Sequence, residues 1–309
     1  MAKHTRFSLA LVFVAVVLST ANAAGSVLVS SPVAPVVLRQ TPANPRVQTI
    51  QFASKLVGKT LPYNVLLPVS YNQTESRTKR YPVLYLLHGL TGHYTNWLDK
   101  TRLIDYTAPY EFIIVMPEGN DGWYTDSATV PSDKYESYIL QELIPDVEKR
   151  FRTASETGSR AIAGLSMGGY GALKFGIKYP QQFAFVASMS GALGAASLTE
   201  SDLKGLEFIL RSLQSVYGSE GSPTRAANDL PRLYRELPAA GIASLPYIYL
   251  DCGTEDRLLP MNRDFADLLV ARKIPHEYRQ LPGDHSWPYW DAQVQEVLRI
   301  AAKKFGKRL

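Results

Sequence analysis

Short, uninterrupted apolar runs alternate with helical stretches along most of this 309-residue chain, and no other feature constrains its fold as much. The runs are Val83–Leu87, Phe112–Met116, Ala161–Leu165, Phe183–Met189 and Tyr247–Leu250, with a weaker one at His276–Leu281. Runs of that length without a polar face read as strands buried on both sides. Between them, Tyr135–Phe151, Ser166–Lys178, Asn262–Arg272 and Asp291–Lys304 carry helical spacing. The pattern predicts an α/β fold with a mostly parallel central sheet and helices on both faces. Val47–Phe52 and Tyr63–Leu67, which alternate on either side of Gly58-Lys59, predict an antiparallel pair at its start. The stretch from Gly191 to Leu245 holds no clear strand and predicts a helical insertion over one edge of the sheet.

The first 45 residues lie outside this pattern. Lys3 and Arg6 precede an apolar run from Leu9 to Leu18, and Ala21-Asn22-Ala23 follows as a cleavage pattern. Residues 1–23 therefore predict a secretory signal. The apolar run is about half the roughly 20 residues that a membrane span needs. Residues 24–45, with Pro32, Pro35, Pro42 and Pro45, predict an extended linker. Residues 46–309 are then the folded domain of a secreted or periplasmic protein, with no stable membrane insertion after cleavage. The single cysteine, Cys252, excludes an intrachain disulfide and any cysteine-based zinc or iron–sulfur site. There are 33 basic and 28 acidic residues, and Lys3 and Arg6 fall in the leader. No basic run remains that would track a phosphate backbone, so nucleic acid is not an expected partner.

A sheet of this kind binds ligands beyond the carboxyl ends of its strands. Reactive residue types collect at those ends. Ala161–Leu165 runs into Gly164-Leu165-Ser166-Met167-Gly168 and then a helix, which is G-x-S-x-G in a strand–turn–helix context. The turn is tight, so the positions two before and two after the serine must be nearly free of side chain. Ser166 is thus the candidate nucleophile, at a helix N-terminus that favours developing negative charge.

A serine hydroxyl needs a base. His285, in Leu281–Trp287 after the last strand, follows Ser166 in the chain order nucleophile, acid, base. His93 precedes the serine, His276 begins a strand, and His88 reads as a buried residue shaping its loop. The acid comes from Asp251, Glu255 or Asp256 after Tyr247–Leu250. Their positions favour Asp256 but leave its neighbours open. An oxyanion hole needs two backbone N–H groups. Met167 supplies one, as the residue after the nucleophile, and Leu90 in His88-Gly89-Leu90-Thr91-Gly92 the other. No histidine or carboxylate spacing suggests a metal site, and no Gly-rich phosphate loop follows a strand, so no metal or cofactor is expected. Asn72-Gln73-Thr74 matches a glycosylation sequon.

From about Val47 to the C-terminus the chain resembles the putative-esterase family of α/β-hydrolases. That family includes esterase D, feruloyl and acetyl xylan esterases, tributyrin esterases and mycolyltransferases. The resemblance is carried by Tyr85–Leu90, Gly164–Gly169, Cys252–Asp256 and Gly283–Trp287. It implies Ser166, Asp256 and His285 as a triad, with Leu90 and Met167 as oxyanion donors, and so lifts Asp256 above its neighbours. Gly119–Asp126 is similar to the family's loop beside the acyl pocket.

The reading that follows is a secreted serine carboxylesterase. Its substrates would be small-molecule or carbohydrate-linked esters of short acyl or aromatic acids, cleaved through an acyl-enzyme. An acyltransferase of the mycolyltransferase type shares every motif, and a non-catalytic envelope or sugar-binding protein is the third reading. Trp123, Tyr124 and Trp287 are the candidate substrate-binding aromatics, with Tyr289 and Trp290 beside them. Trp290, at helical spacing, reads equally well as packing.

Overall fold

The computed structural model describes residues 44–154 and 156–306. The secretory signal and all but the last two residues of the linker lie outside them. Among the described residues eight strands form one sheet: β1 (Val47–Ile50), β2 (Tyr63–Leu66), β3 (Val83–Leu87), β4 (Ile113–Pro117), β5 (Arg160–Leu165), β6 (Phe185–Met189), β7 (Tyr247–Gly253) and β8 (His276–Leu281). Their spatial order is β1-β2-β4-β3-β5-β6-β7-β8. β1–β2 and β2–β4 pair antiparallel, and every other pair is parallel.

Alternation along buried strands divides the core into two layers, because successive side chains leave a strand on opposite faces. Val83, Tyr85, Leu87, Ile162, Val186 and Ile248 face one layer with the Met167–Lys178 helix. Leu84, Leu86, Ala161, Ala163, Phe185 and Tyr249 face the other, against Val294, Val297 and Leu298 of the Trp287–Lys304 helix. Among the described residues no helix is long and apolar enough to cross a membrane.

Three segments differ from their sequence-based outlines. Tyr135–Phe151 is not one regular helix: a π-helical turn at Ile139–Leu143 separates Tyr135–Tyr138 from Ile144–Arg150. Pro145 has no N–H to give and its ring crowds the carbonyl four residues back, which a widened turn accommodates. β7 runs three residues past Leu250, because Asp251, Cys252 and Gly253 pair with Arg279, Gln280 and Leu281. The insertion is helical, and it packs both on the Leu259–Ala271 helix that leads to the edge strand β8, with Tyr234 and Phe265 5.1 Å apart between ring centroids, and on the helix after the central strand β5. Tyr234 Oη donates to Leu173 O at 3.3 Å, and Tyr170 Oη donates to Asn228 O at 2.7 Å. Its Glu207–Tyr217 helix thereby comes to overlook the carboxyl end of the sheet.

Candidate active site

Parallel pairing puts the exits of β3, β5, β7 and β8 at one end of the sheet, and the candidate residues stand on those exits. Ser166 follows β5 with φ 52° and ψ −115°, a left-handed backbone that a residue with a side chain rarely adopts. The elbow is held by close packing. A Cβ on Gly164 would lie 2.5 Å from the Gly168 carbonyl carbon, and one on Gly168 would lie 2.6 Å from His88 O. The two glycines of G-x-S-x-G are thus contact points of turn on helix and of helix on β3. Backbone bonds from Ser166 N to Met189 O (2.9 Å) and from Ala192 N to Ser166 O (3.1 Å) pin the turn to β6 and its exit. Strain held this firmly is characteristic of functional positions.

β7 and β8 are neighbours, and their pairing continues into their loops. Thr254 N donates to Leu281 O at 2.8 Å and Glu255 N to Gly283 O at 3.0 Å. The Gly283 N–H returns a bond to the Glu255 carboxylate. A Cβ on Gly253 would sit 2.1 Å from Gly283 O, so the two loops touch only because that position is bare. This contact brings Asp256 to His285. Asp256 Oδ2 accepts from His285 Nδ1 at 2.8 Å, and His285 Nε2 stands 3.0 Å from Ser166 Oγ. A carboxylate can only accept, so the imidazole proton is on Nδ1, and Nε2 is free to accept from the serine hydroxyl. Burial alone would raise the Asp256 carboxyl. The bonds from His285 and from the Leu258 N–H, at 2.8 Å, hold it below its ordinary value instead.

The other carboxylates stand elsewhere. Asp251 is fully buried inside β7, where Oδ1 accepts from Tyr289 Oη at 3.0 Å. Glu255 is exposed and bonds Thr254 and Gly283. Of the remaining histidines, His88 is buried with both ring nitrogens bonded. His93 is exposed beside Glu118, and His276 bonds Ile274 O. Among the described residues no three His, Cys, Asp or Glu side chains cluster as metal ligands would.

A cleft of about 880 Å³ opens over Ser166 and His285. Leu90 lines it, and Met167 takes the first helical position after Ser166, where an N–H has no intrahelical acceptor. Trp287 lines it too. Trp123 and Tyr124 do not, and here the expectation of three substrate-contacting aromatics is corrected. Tyr124 is fully buried, with its Oη donating to His88 O at 3.0 Å, and Trp123 Nε1 donates to Ser212 Oγ at 2.9 Å. Both have positive φ, and the loop's turn carries their rings into the core under the insertion.

The aromatic wall is instead Trp287 and Trp290. Trp290 stands edge-on to His285 at 4.9 Å between ring centroids, and Trp287 stands edge-on to Trp290 at 5.3 Å. Sequence reasoning missed Phe208 and Ile209 from the insertion, and Lys100 and Arg257 at the rim. Phe208 and Ile209 are two successive large apolar residues at the start of the Glu207–Tyr217 helix, and that pair was the available signal in the sequence. It also missed Lys174, a cation in the interior of an apolar helix. Lys174 Nζ donates to Tyr124 O and Thr125 Oγ1 at 2.6 Å and to Glu136 Oε2 at 2.7 Å. It ties Gly119–Asp126 to the helix that starts at Ser166's elbow, and its burial pushes the ammonium down to about 8.

A family model described as "Putative esterase" matches residues 54–300. An acetyl esterase of Caldicellulosiruptor saccharolyticus is 27% identical over 263 residues, covering 83% of this chain and 98% of that protein. An esterase of Mycobacterium tuberculosis is 36% identical over 263 residues, covering 78% of this chain but 56% of its own length. The chain thus spans about half of that larger relative. A solved ferulic acid esterase superposes with a TM-score of 0.70 at 29% identity, covering 84% of this chain and 98% of the other.

Proposed function

Since the chain belongs to the putative-esterase family, whose named relatives act on esters, we propose that it is a serine carboxylesterase working through an acyl-enzyme on Ser166. The hydrogen-bonded line Asp256–His285–Ser166 at a strained elbow carries this reading. Ser166 Oγ attacks the ester carbonyl carbon as its proton passes to His285 Nε2. The carbonyl oxygen becomes an oxyanion facing the Leu90 and Met167 N–H groups, where each such donor is worth about 10²–10³ in rate. Asp256 orients the imidazole and stabilises its charged form. Collapse expels the alcohol, which takes the proton from Nε2, and leaves the acyl group on Ser166. Water then repeats the sequence, releasing the acid and restoring the serine.

The open cleft, walled by Trp287, Trp290, Phe208 and Ile209, suits short acyl or aromatic esters, including carbohydrate-linked ones. Ser166→Ala is expected to abolish both turnover on nitrophenyl esters and labelling by a fluorophosphonate probe while the protein stays folded. Surviving labelling places the nucleophile elsewhere. Nitrophenyl esters of rising chain length, with methyl ferulate and acetylated xylan, map the acyl preference. Product analysis with added alcohol acceptors separates hydrolysis from acyl transfer. The protein is further proposed to be exported with cleavage near Ala23, supported by the Lys3/Arg6, Leu9–Leu18 and Ala21–Ala23 pattern. N-terminal sequencing of exported material should begin at or near Ala24, and retention of Lys3 rejects that.

A further inference from the structure

We infer that His88 is a positioning residue that sets the direction of the Leu90 N–H by holding the peptide group between Gly89 and Leu90. The inference rests on the reading of Leu90 as an oxyanion donor. A trans peptide is planar, and its C=O and N–H point in opposite directions. Whatever holds the Gly89 carbonyl therefore aims the Leu90 N–H. That carbonyl accepts two hydrogen bonds, from His88 Nδ1 at 2.8 Å and from Gly92 N at 3.0 Å. The His88 ring is 1% exposed, on the protein side of the loop. The cleft is on the other side: Gly89, Leu90, Thr91 and Gly92 line it with Ser166, and a Cβ built on Gly89 would be 3.4 Å from Ser166 Cβ. The Leu90 N–H is thus turned away from the imidazole and toward the reacting centre.

The bonding also assigns the tautomer. A carbonyl oxygen only accepts, so Nδ1 carries the proton. Nε2 accepts the Gly119 N–H at 2.9 Å, so it does not. His88 gives one bond to the loop after β3 and takes one from the loop after β4, and Tyr124 Oη fastens its own carbonyl at 3.0 Å. The outer side of the loop is tied by Thr91 N, which donates to Asp121 Oδ1 at 2.7 Å. Both loops are thus anchored to each other around one buried ring, whose Nε2 also stands 3.4 Å from Glu118 Oε1. An oxyanion donor a few tenths of an ångström out of place loses much of its effect, because the site works by being organised before charge develops.

Two substitutions divide the two bonds of the ring. Asparagine places an amide N–H near the position of Nδ1 and can still hold Gly89 O. Glutamine places an oxygen near Nε2 and can still accept from Gly119 N, but leaves Gly89 O to Gly92 alone. His88→Gln is expected to lower kcat on a short nitrophenyl ester by about 10²-fold with KM little changed. His88→Asn should recover most of that loss and stay within about tenfold of the parent. Affinity for a trifluoromethyl ketone, whose adduct carries an oxyanion, should fall in His88→Gln in step with kcat/KM. Thermal melts report folding separately for each variant. Equal losses in the two variants, or a kcat loss without loss of inhibitor affinity, overturn the inference and leave His88 as packing. If Ser166→Ala retains turnover, the acyl-enzyme reading itself is lost. If Ser166→Ala is inactive while His88→Gln matches the parent, only the role of His88 is lost.

Discussion

Asp251 and Asp256 are neighbours on the chain, both are stripped of water on folding, and they end in opposite electrostatic states. Asp251 lies within β7, where alternation turns it toward the layer under the Trp287–Lys304 helix. There it meets Tyr289 and Tyr249, with Arg279 and Glu296 further out, and burial dominates, pushing its carboxyl up to about 7. Asp256 lies beyond Gly253, outside the ladder, where a backbone N–H and an imidazole N–H converge on the carboxylate. Those bonds outweigh burial, and its carboxyl lies below the ordinary value. A carboxylate is kept charged by donors aimed at it, and depth alone favours the protonated form. The acid expected to work with His285 is accordingly the one that left the strand.

The contrast is sharpest in turnover. Asp256→Asn keeps the shape but can present an N–H to His285, which turns the wrong imidazole nitrogen to Ser166. The same exchange in serine proteases costs about 10⁴ in kcat, and a loss approaching that is expected on a short nitrophenyl ester, matching His285→Ala. Normal turnover in Asp256→Asn, with Asp251→Asn crippled, would invert the assignment.

Stability against pH should separate the pair next. The folded-state pKa of Asp251 is raised, so the folded protein holds a proton that the unfolded chain releases above about 4. Its contribution is fully present below that pH and is lost as pH rises toward 7. Asp256, with a lowered pKa, behaves oppositely: its contribution is present above about 4 and is lost as pH falls through its folded value. Asp251→Asn should therefore gain on the parent protein between pH 5 and pH 8, by on the order of 5 °C in melting temperature. Parallel melting curves across that range would show that Asp251 keeps the same ionisation in both states. The smallest effect belongs to Glu255, an exposed group holding only the Thr254 and Gly283 ends of the loops. Glu255→Gln should stay within about twofold of the parent in kcat, as surface changes generally do. A tenfold loss would make the loop contact part of the machinery.

Other features were legible only in part. The apolar runs marked the parallel strands to within a few residues, because burial on both faces leaves a continuous apolar signature. The end of β7 was missed because Asp251 is charged by type, and only pairing with Arg279 reveals that it belongs to the ladder. Trp123 and Tyr124 stood in the right loop for a cleft wall, yet their positive φ values turn both rings inward. No local pattern marks a Trp-Tyr pair for that. The insertion was legible as helical and near a sheet edge, but its further seat on the helix after β5 was not, because that depends on Tyr170 and Tyr234 reaching across between helices.

The sequence by itself determined the strand–turn–helix at Ser166, because the glycines on either side and the apolar strand before them act within a few residues of one another. It likewise determined the order in which serine, acid and histidine follow the strands. Only the tertiary structure decided which carboxylate meets His285, which tryptophans face the cleft, and where the Gly89 carbonyl is held. Each of these depends on segments far apart in the chain coming into van der Waals contact, such as Gly253 against Gly283 and His88 against Gly119. A local pattern carries the shape of one segment, whereas the choice of its neighbour is settled by packing across the whole core.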